Sequence, residues 1–169
     1  TRAAAGAVDV ILRDGGTLRL RPPTAADADA LVAFFEGLSD RSLYLRFHGS
    51  RHVSPQLVEP DLDPDWVERG ALVGTLGERV VALASFVRLR DPAAAEIAFA
   101  VADEDQGRGI GTRLLEQLAQ LAAETGIERF VAEVLADNPR ALSVFAEAGW
   151  ELTREREGGE VELRFPIAQ

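Results

Sequence analysis

The stretch "VADEDQGRGIGTRLLEQL", from Val101 to Leu118, constrains the fold of this chain more than any other segment. An apolar run leads through acidic residues into three glycines at alternate positions, Gly107, Gly109 and Gly111, and then into a helical pattern. Because glycine has no Cβ, several main-chain N–H groups of such a turn can approach one ligand together. The helix that follows adds the positive end of its dipole. The order strand, glycine turn, helix therefore predicts a cradle for phosphate or diphosphate.

Two common phosphate-binding loops do not fit this segment. The spacing is G-x-G-x-G, which differs from the G-x-G-x-x-G of dinucleotide-binding folds, and no Gly-Lys-Ser/Thr follows. A glycine-rich turn that binds nothing remains an alternative interpretation of the three glycines taken alone.

Before the glycines, the pattern predicts one helix and several strands. Residues Thr17 to Pro22 alternate apolar and charged side chains, as a half-buried strand does. Thr24 is placed to cap a helix whose apolar face holds Leu31, Phe34, Phe35 and Leu38. Residues 39–47 predict a second short helix. The next strands form a predicted antiparallel meander over Ala71–Thr75, Val80–Arg90 and Ala95–Ala102.

After the glycines, the pattern predicts helix, strand, helix and hairpin. The first helix carries an apolar stripe and ends at Gly126, with Ile127 making the apolar contact usual after such a cap. The strand is residues 129–135, the second helix runs from Asn138 to Gly149, and the hairpin turns at residues 158–159. Together these elements predict a single α+β domain over residues 1–169, with helices flanking a mixed, mostly antiparallel sheet and residues 1–7 frayed.

Composition excludes several classes of function. The chain has no cysteine and only His48 and His52, which argues against disulfides and metal sites, so no metal is expected. Its net charge of −10 disfavours nucleic acid and either suits a cationic partner or simply keeps the protein soluble. No apolar run approaches the ~20 residues of a membrane span. We therefore expect a cytoplasmic protein without membrane or nucleic-acid partners. The chain begins with Thr1 and lacks methionine, which indicates a processed chain or a domain excised from a longer one.

The glycine segment resembles the acyl-CoA signature of the GNAT superfamily of N-acetyltransferases, Q/R-x-x-G-x-G/A. Gln106, Gly109 and Gly111 occupy its defining positions. "VLADNPRALSVFAEAGW" is similar to the later strand and Asn-initiated helix of that family. More narrowly, "SLYLRF", "AEIAFAVAD" and "VLADN" resemble the Pat-type protein lysine acetyltransferase domains of bacteria. The resemblance implies the GNAT fold and acetyl-CoA as co-substrate.

The resemblance also implies a binding mode. In the family, two central parallel strands part at a bulge in the fourth strand, and the pantetheine arm lies in the gap. Phe99 and Val101 would then pair with the arm, and Asn138 would reach it with its side chain or serve only as a helix cap. The diphosphate would be wrapped by Gln106, Gly107, Arg108, Gly109, Ile110, Gly111 and Thr112.

Charged residues around the turn have two interpretations. Arg108, Arg113 and Arg140 would offset the negative field of the protein near the phosphates, or they are ordinary solvated groups. The acidic residues Asp103, Glu104 and Asp105 are expected to be solvated in the loop.

Glu96 is the candidate catalytic residue. Transfer to lysine needs a neutral amine, whose pKa is otherwise near ~10.4, so a base must take the proton directly or through water. Glu96 lies among small and apolar residues, where burial would raise the pKa of its carboxyl, and Pat-type domains use a glutamate at this point of the motif. The alternative is an outward-facing glutamate, with Glu133 as the reserve candidate.

One position departs from the family pattern. Many members carry a tyrosine seven residues after the helix-opening asparagine as the acid that protonates the thiolate, and here Phe145 stands there. The thiolate would then leave unassisted or take its proton from water. Tyr44 is expected to pack in the core, and neither histidine is expected to be essential.

The sequence therefore predicts an acetyl-CoA-dependent protein lysine acetyltransferase, acting on a protein with an exposed lysine, such as an acyl-CoA synthetase. A GNAT enzyme that acetylates a small amine and a non-catalytic acyl-CoA sensor are the alternatives.

Overall fold

The computed structural model describes residues 7–38, 58–106, 108–135, 153–157 and 160–167. The predicted short helix over residues 39–47, the helix from Asn138 to Gly149 and the turn at residues 158–159 lie outside the described residues, as do Tyr44, His48 and His52.

The described strands form one sheet of eight strands in the order β1-β2-β3-β4-β5-β6-β8-β7. Every neighbouring pair is antiparallel except β5 and β6, which are parallel. The predicted mixed, mostly antiparallel sheet is thereby confirmed. The strands are β1 Val8–Ile11, β2 Thr17–Arg21, β3 Arg69–Leu76, β4 Arg79–Arg88, β5 Ala94–Val101, β6 Arg129–Leu135, β7 Thr153–Glu157 and β8 Glu160–Pro166.

Two α-helices are described, α1 over Ala28–Glu36 and α2 over Ile110–Glu124. The predicted face of α1 is confirmed, because Leu31, Phe34 and Phe35 are buried. Helix α1 packs against β4, and α2 packs against β3, β4 and β5. Neither described helix is long and apolar enough to cross a membrane.

Helix α2 follows the prediction closely. Its apolar stripe is buried, and Gly126 after its last turn has a φ of +93°. The Ile127 N–H donates to the Ala122 carbonyl at 3.2 Å, and the Ile127 side chain is fully buried. The predicted glycine cap with its apolar contact is confirmed.

The strand β1 was not predicted from the sequence. It pairs with β2 through a tight turn, in which the Leu12 N–H donates to the Gly16 carbonyl at 2.8 Å and Gly15 adopts a φ of +90°. This strand is short and lies at the sheet edge, so its formation depends on pairing with β2 rather than on a long local pattern. The tip of this hairpin reaches the glycine turn, where Asp14 accepts a hydrogen bond from Arg108.

Candidate functional site

The parallel strands β5 and β6 part within the sheet. Their described register covers Ala94 with Arg129, Ala95 with Phe130 and Glu96 with Val131. Beyond that point β5 continues to Val101 beside β4, and β6 continues to Leu135 beside β8. A gap therefore opens between their C-terminal halves, starting at Glu96.

The bulge that the family resemblance implies for the fourth strand is not present in the described pairing of β5 with β4. Strand β5 pairs with β4 without interruption from Ala95 to Val101, and the register shift lies instead at Gly74/Thr75, between β3 and β4. The gap arises because β5 stays with β4 while β6 stays with β8, and each antiparallel part of the sheet follows its own twist.

The main chain of β5 is oriented so that alternate residues face the gap. The Ala102 N–H donates to the Val81 carbonyl at 2.8 Å. Because hydrogen-bonded positions alternate along an antiparallel pair, the even-numbered residues of β5 bond through their main chain to β4. The main-chain groups of Phe99 and Val101 then point the other way. Consistent with this, the Val101 carbonyl accepts a hydrogen bond from Gln106 Nε2 at 3.0 Å rather than from β4.

The glycine turn ends at the first residue of α2. Gly109 is the N-cap, with φ +83° and ψ 6°, a left-handed conformation that favours glycine. The Arg113 N–H donates to the Gly109 carbonyl at 3.1 Å, which begins the helical ladder. The N–H groups of the first turn of a helix have no acceptor within the helix, so an anion is favoured at this end of α2. Gly107 lies outside the described residues.

A surface cavity of about 450 Å³ lies at this turn. It is bounded on one side by the start of α2 and on the other by the tip of the β1–β2 hairpin. Its lining residues are Ile11, Leu12, Arg13, Arg108, Gly109, Thr112, Arg113 and Glu116. Sequence reasoning missed Arg13, because nothing local to residues 8–16 indicates that the hairpin tip reaches a helix so distant along the chain.

The acidic loop before the glycine turn was predicted to be solvated, but one of its carboxylates is buried. Asp105 is only 3% exposed and accepts hydrogen bonds from Arg79 Nη1 at 2.7 Å and Arg108 Nη1 at 2.9 Å. Burial raises the pKa of Asp105, but the hydrogen bonds from Arg79 and Arg108 outweigh it and bring the pKa below its ordinary value. The charged carboxylate therefore anchors the loop, which corrects the expectation for this residue.

Arg108 is not a freely solvated cation. Its Nε also donates to Asp14 Oδ2 at 2.6 Å, so two carboxylates compensate its charge. Arg113 is half exposed and lies 3.7 Å from Glu116 Oε1. Arg108 and Arg113 were predicted to offset the negative field of the protein near the phosphates, and the carboxylates beside them reduce that effect. Arg140 lies outside the described residues.

Glu96 lies at the fork where β5 and β6 part. It is the last residue of β5 in register with β6, opposite Val131. Its side chain is exposed, whereas its neighbours Ala95 and Ile97 are buried on the other face of the sheet. The burial that was expected to raise its pKa is therefore wrong, because strand alternation turns this side chain outward. Glu133 lies on β6 in register with Glu162.

Some of the remaining predicted site residues are described by the structure and others are not. Ile110 and Gly111 are buried in the first turn of α2, and Thr112 is half-buried and lines the cavity. Asn138 and Phe145 lie outside the described residues. The structure therefore brings Gln106, Arg108 and the first turn of α2 together at one end of the gap, with Glu96 at the other.

Comparison with known protein sequences identifies a family. Residues 40–150 match the acetyltransferase (GNAT) family. The acetyltransferase Pat of Mycolicibacterium smegmatis is 35% identical over 152 residues, which are 88% of this chain and 45% of that protein. The chain thus spans less than half the length of this relative.

Comparison with solved structures supports the same family. The GNAT domain of S. lividans PAT matches with a TM-score of 0.87 and 41% identity, covering 95% of this chain and 96% of that one. The YncA structure from Salmonella typhimurium, which contains its cofactor acetyl-CoA, matches with a TM-score of 0.67 over 88% of this chain and 91% of that one. At 20% identity the second likeness concerns the fold alone.

Proposed function

Since this chain belongs to the GNAT acetyltransferase family and has its fold, we propose that it transfers an acetyl group from acetyl-CoA to the ε-amine of a protein lysine, with Glu96 as the general base. The observation that carries this proposal is the gap between β5 and β6, which has Glu96 at its closed end and the glycine turn at its open end.

The gap has dimensions that suit an extended pantetheine arm. Between Glu96 and Val101 the strand advances by about 16 Å at ~3.3 Å per residue. The roughly thirteen covalent bonds from the sulfur of coenzyme A to its first phosphorus equal about four extended residues, or about 15 Å. A molecule with its diphosphate beside the end of β5, where Gln106 contacts the Val101 carbonyl, would therefore reach Glu96 with its thioester.

The proposal assigns a part of acetyl-CoA to each group of site residues. The main-chain N–H groups of residues 107–112, with Gln106, hold the diphosphate, and the main chain of Phe99 and Val101 pairs with the arm, with Asn138 also contacting it. Because the Gln106 side chain bonds to the Val101 carbonyl, pairing of the arm with that carbonyl requires Gln106 to turn away. GNAT acetyltransferases use acetyl-CoA, and the proposed site needs no metal.

The chemistry at Glu96 is a direct transfer. The lysine nitrogen attacks the thioester carbonyl carbon and gives up a proton to the Glu96 carboxylate, directly or through water. The new C–N bond forms as the C–S bond breaks, and the thiolate leaves and takes a proton from water, since Phe145 has none to give. The exposure of Glu96 suits this role, because a lysine on the surface of another protein must reach it.

The acceptor is proposed from the Pat likeness. The 35% identity to the acetyltransferase Pat supports a protein lysine, and an acyl-CoA synthetase is the kind of enzyme we propose as substrate. The net charge of −10 favours a cationic partner. The cytoplasmic location also stays a prediction.

Release of coenzyme A tests the proposal. It is measured with a thiol reagent against acetylatable proteins, including an acyl-CoA synthetase, and small amines. We expect Glu96→Gln to lower kcat by about 100-fold or more, as loss of a general base does, while acetyl-CoA affinity changes less than about twofold. Glu78→Gln is the matched control, because Glu78 is also exposed and lies in the β3–β4 turn, on neither of the strands that border the gap.

The outcomes separate the alternatives. Unchanged transfer in the Glu96→Gln variant would remove Glu96 as the base. Release only with small amines would favour the small-molecule enzyme. Binding of acetyl-CoA without release by any acceptor would favour the sensor.

A further inference from the structure

The β1–β2 hairpin is joined to the glycine turn. Asp14 at its tip accepts a hydrogen bond from Arg108 Nε at 2.6 Å and another from the Gly16 N–H at 2.9 Å. A Cβ at Gly16 would lie 3.1 Å from Arg108 Nη2, so the two segments are in close contact. The hydrogen bond from Arg108 lowers the pKa of Asp14, which keeps this ion pair charged at neutral pH.

The same hairpin places Arg13 beside the N-terminus of α2. Arg13 lines the cavity, and its Nη2 lies 3.4 Å from the position that a Cβ of Gly109 would take. The guanidinium therefore lies within van der Waals distance of the position that a methyl group on Gly109 would take.

The three arginines that line the cavity differ in whether a nearby carboxylate compensates their positive charge. Arg108 is compensated by Asp14 and by Asp105, and Arg113 has Glu116 nearby. Within the described part of the chain, no carboxylate pairs with Arg13. Arg13 is thus the lining arginine whose charge is left for a ligand.

We propose that Arg13 is a further substrate-binding residue, whose guanidinium binds the diphosphate of acyl-CoA from the side opposite the α2 N-terminus. This inference rests on the proposed function. A guanidinium presents parallel N–H donors that match phosphate oxygens, and the helix N-terminus offers main-chain donors to the other side of the same group. Asp14 is a positioning residue, because its ion pair with Arg108 holds the hairpin tip against the turn.

The experiment compares Arg13→Gln with wild type by calorimetry, using coenzyme A, dephospho-coenzyme A and pantetheine. Arg19→Gln is the matched control: Arg19 lies on β2, pairs with Asp9 and does not line the cavity, and its loss changes the net charge equally. Because Arg13 is exposed in a turn, thermal unfolding should show that both variants keep the fold.

We expect Arg13→Gln to weaken coenzyme A binding about fivefold, the scale of one partly exposed ion pair. The same loss is expected with dephospho-coenzyme A, which keeps the diphosphate, and none with pantetheine, which lacks all phosphates. Arg19→Gln should change none of the three affinities by more than about 1.5-fold.

Three results would overturn the inference. Equal affinity of Arg13→Gln and wild type for coenzyme A would remove Arg13 from the site while leaving the proposed function intact. A loss that disappears with dephospho-coenzyme A would assign Arg13 to the 3′-phosphate instead of the diphosphate. Absence of coenzyme A binding in the wild type would overturn the proposed function, and this inference with it.

Discussion

Gly109 combines a backbone conformation that side chains rarely adopt with a position beside Arg13. Its φ of +83° places it in the left-handed region, and a Cβ there would lie 3.4 Å from Arg13 Nη2. Gly77, in the turn between β3 and β4, has a φ of +62° but open space around its would-be Cβ. The two glycines therefore separate backbone strain from the loss of space at the cavity.

We expect Gly109→Ala and Gly77→Ala to lower the free energy of unfolding by a similar amount, about 1 kcal/mol each, since both force alanine into a left-handed conformation. Only Gly109→Ala should also weaken acetyl-CoA binding, by about tenfold, because its methyl group would stand beside Arg13 and narrow the approach to the main-chain donors. Urea unfolding and calorimetry measure the two quantities. Equal acetyl-CoA affinity in both variants would contradict this role of Gly109.

Among the elements, the start of α1 depends on one carboxylate. Asp27 accepts two hydrogen bonds from the Arg21 guanidinium, at 2.8 Å each, and one from the Thr24 N–H at 2.7 Å. Thr24 caps a 3₁₀ turn over Ala25–Asp27 that leads into α1, whereas the N-cap of α1 itself is Asp27, which corrects the predicted cap. Asp27 also links the start of α1 to β2 through Arg21. The hydrogen bonds from Arg21 are the largest cause of the lowered pKa of Asp27, followed by burial, which opposes them.

This arrangement predicts a stability that depends on pH. A carboxyl whose pKa is lower in the folded than in the unfolded chain contributes stability above its unfolded pKa, near ~3.9, and loses it as the pH falls through the folded value. We expect Asp27→Asn to cost about 1–2 kcal/mol at pH 7. Its difference in Tm from wild type should hold down to about pH 5 and shrink progressively below about pH 4.

Thermal unfolding from pH 7 to pH 2 measures this difference. Asp29→Asn is the control, because Asp29 is exposed on the same helix and forms no ion pair with any described residue. A constant difference between Asp27→Asn and wild type across the whole range would show that the ion pair does not stabilise the fold.

At the scale of the whole molecule, the sheet consists of two antiparallel parts, β1 to β5 and β6 to β8. They are joined in the described register only by the parallel pairs from Ala94–Arg129 to Glu96–Val131. A ligand that pairs with β5 in the gap would add contacts across this junction. Such a ligand stabilises the folded state by mass action, by about 2.7 kcal/mol at a concentration a hundred times its Kd.

Hydrogen exchange tests where this stabilisation acts. We expect acetyl-CoA to slow exchange at the amides of Phe99 and Val101, which face the gap, more than at Ala98 and Ala100, which already bond to β4. Pantetheine at equal saturation should protect the same two amides, because the arm alone reaches them. Protection that is uniform along β5, or confined to α2, would contradict pairing of the arm with this strand.

Much of the architecture was predictable because it follows from local pattern. The alternation in β2, the apolar runs of β3 to β5 and the apolar stripe of α2 are patterns within one element, and Gly126 caps α2 for reasons contained in a few residues. The glycine turn was likewise identified from its own spacing. The strand β1 was missed because an edge strand of four residues depends on its partner.

The sequence alone determined the order of these elements and the position of the glycine turn, since backbone preference and side-chain periodicity act over short distances along the chain. Its motifs carried the resemblance to the family. Only the tertiary structure decided the charge and exposure of the site. It joins Asp14 to Arg108 across 94 residues, buries Asp105 between two arginines, places Arg13 beside Gly109 and turns Glu96 outward. Compensation and burial of a charge depend on which distant segments meet, and no local pattern carries that information.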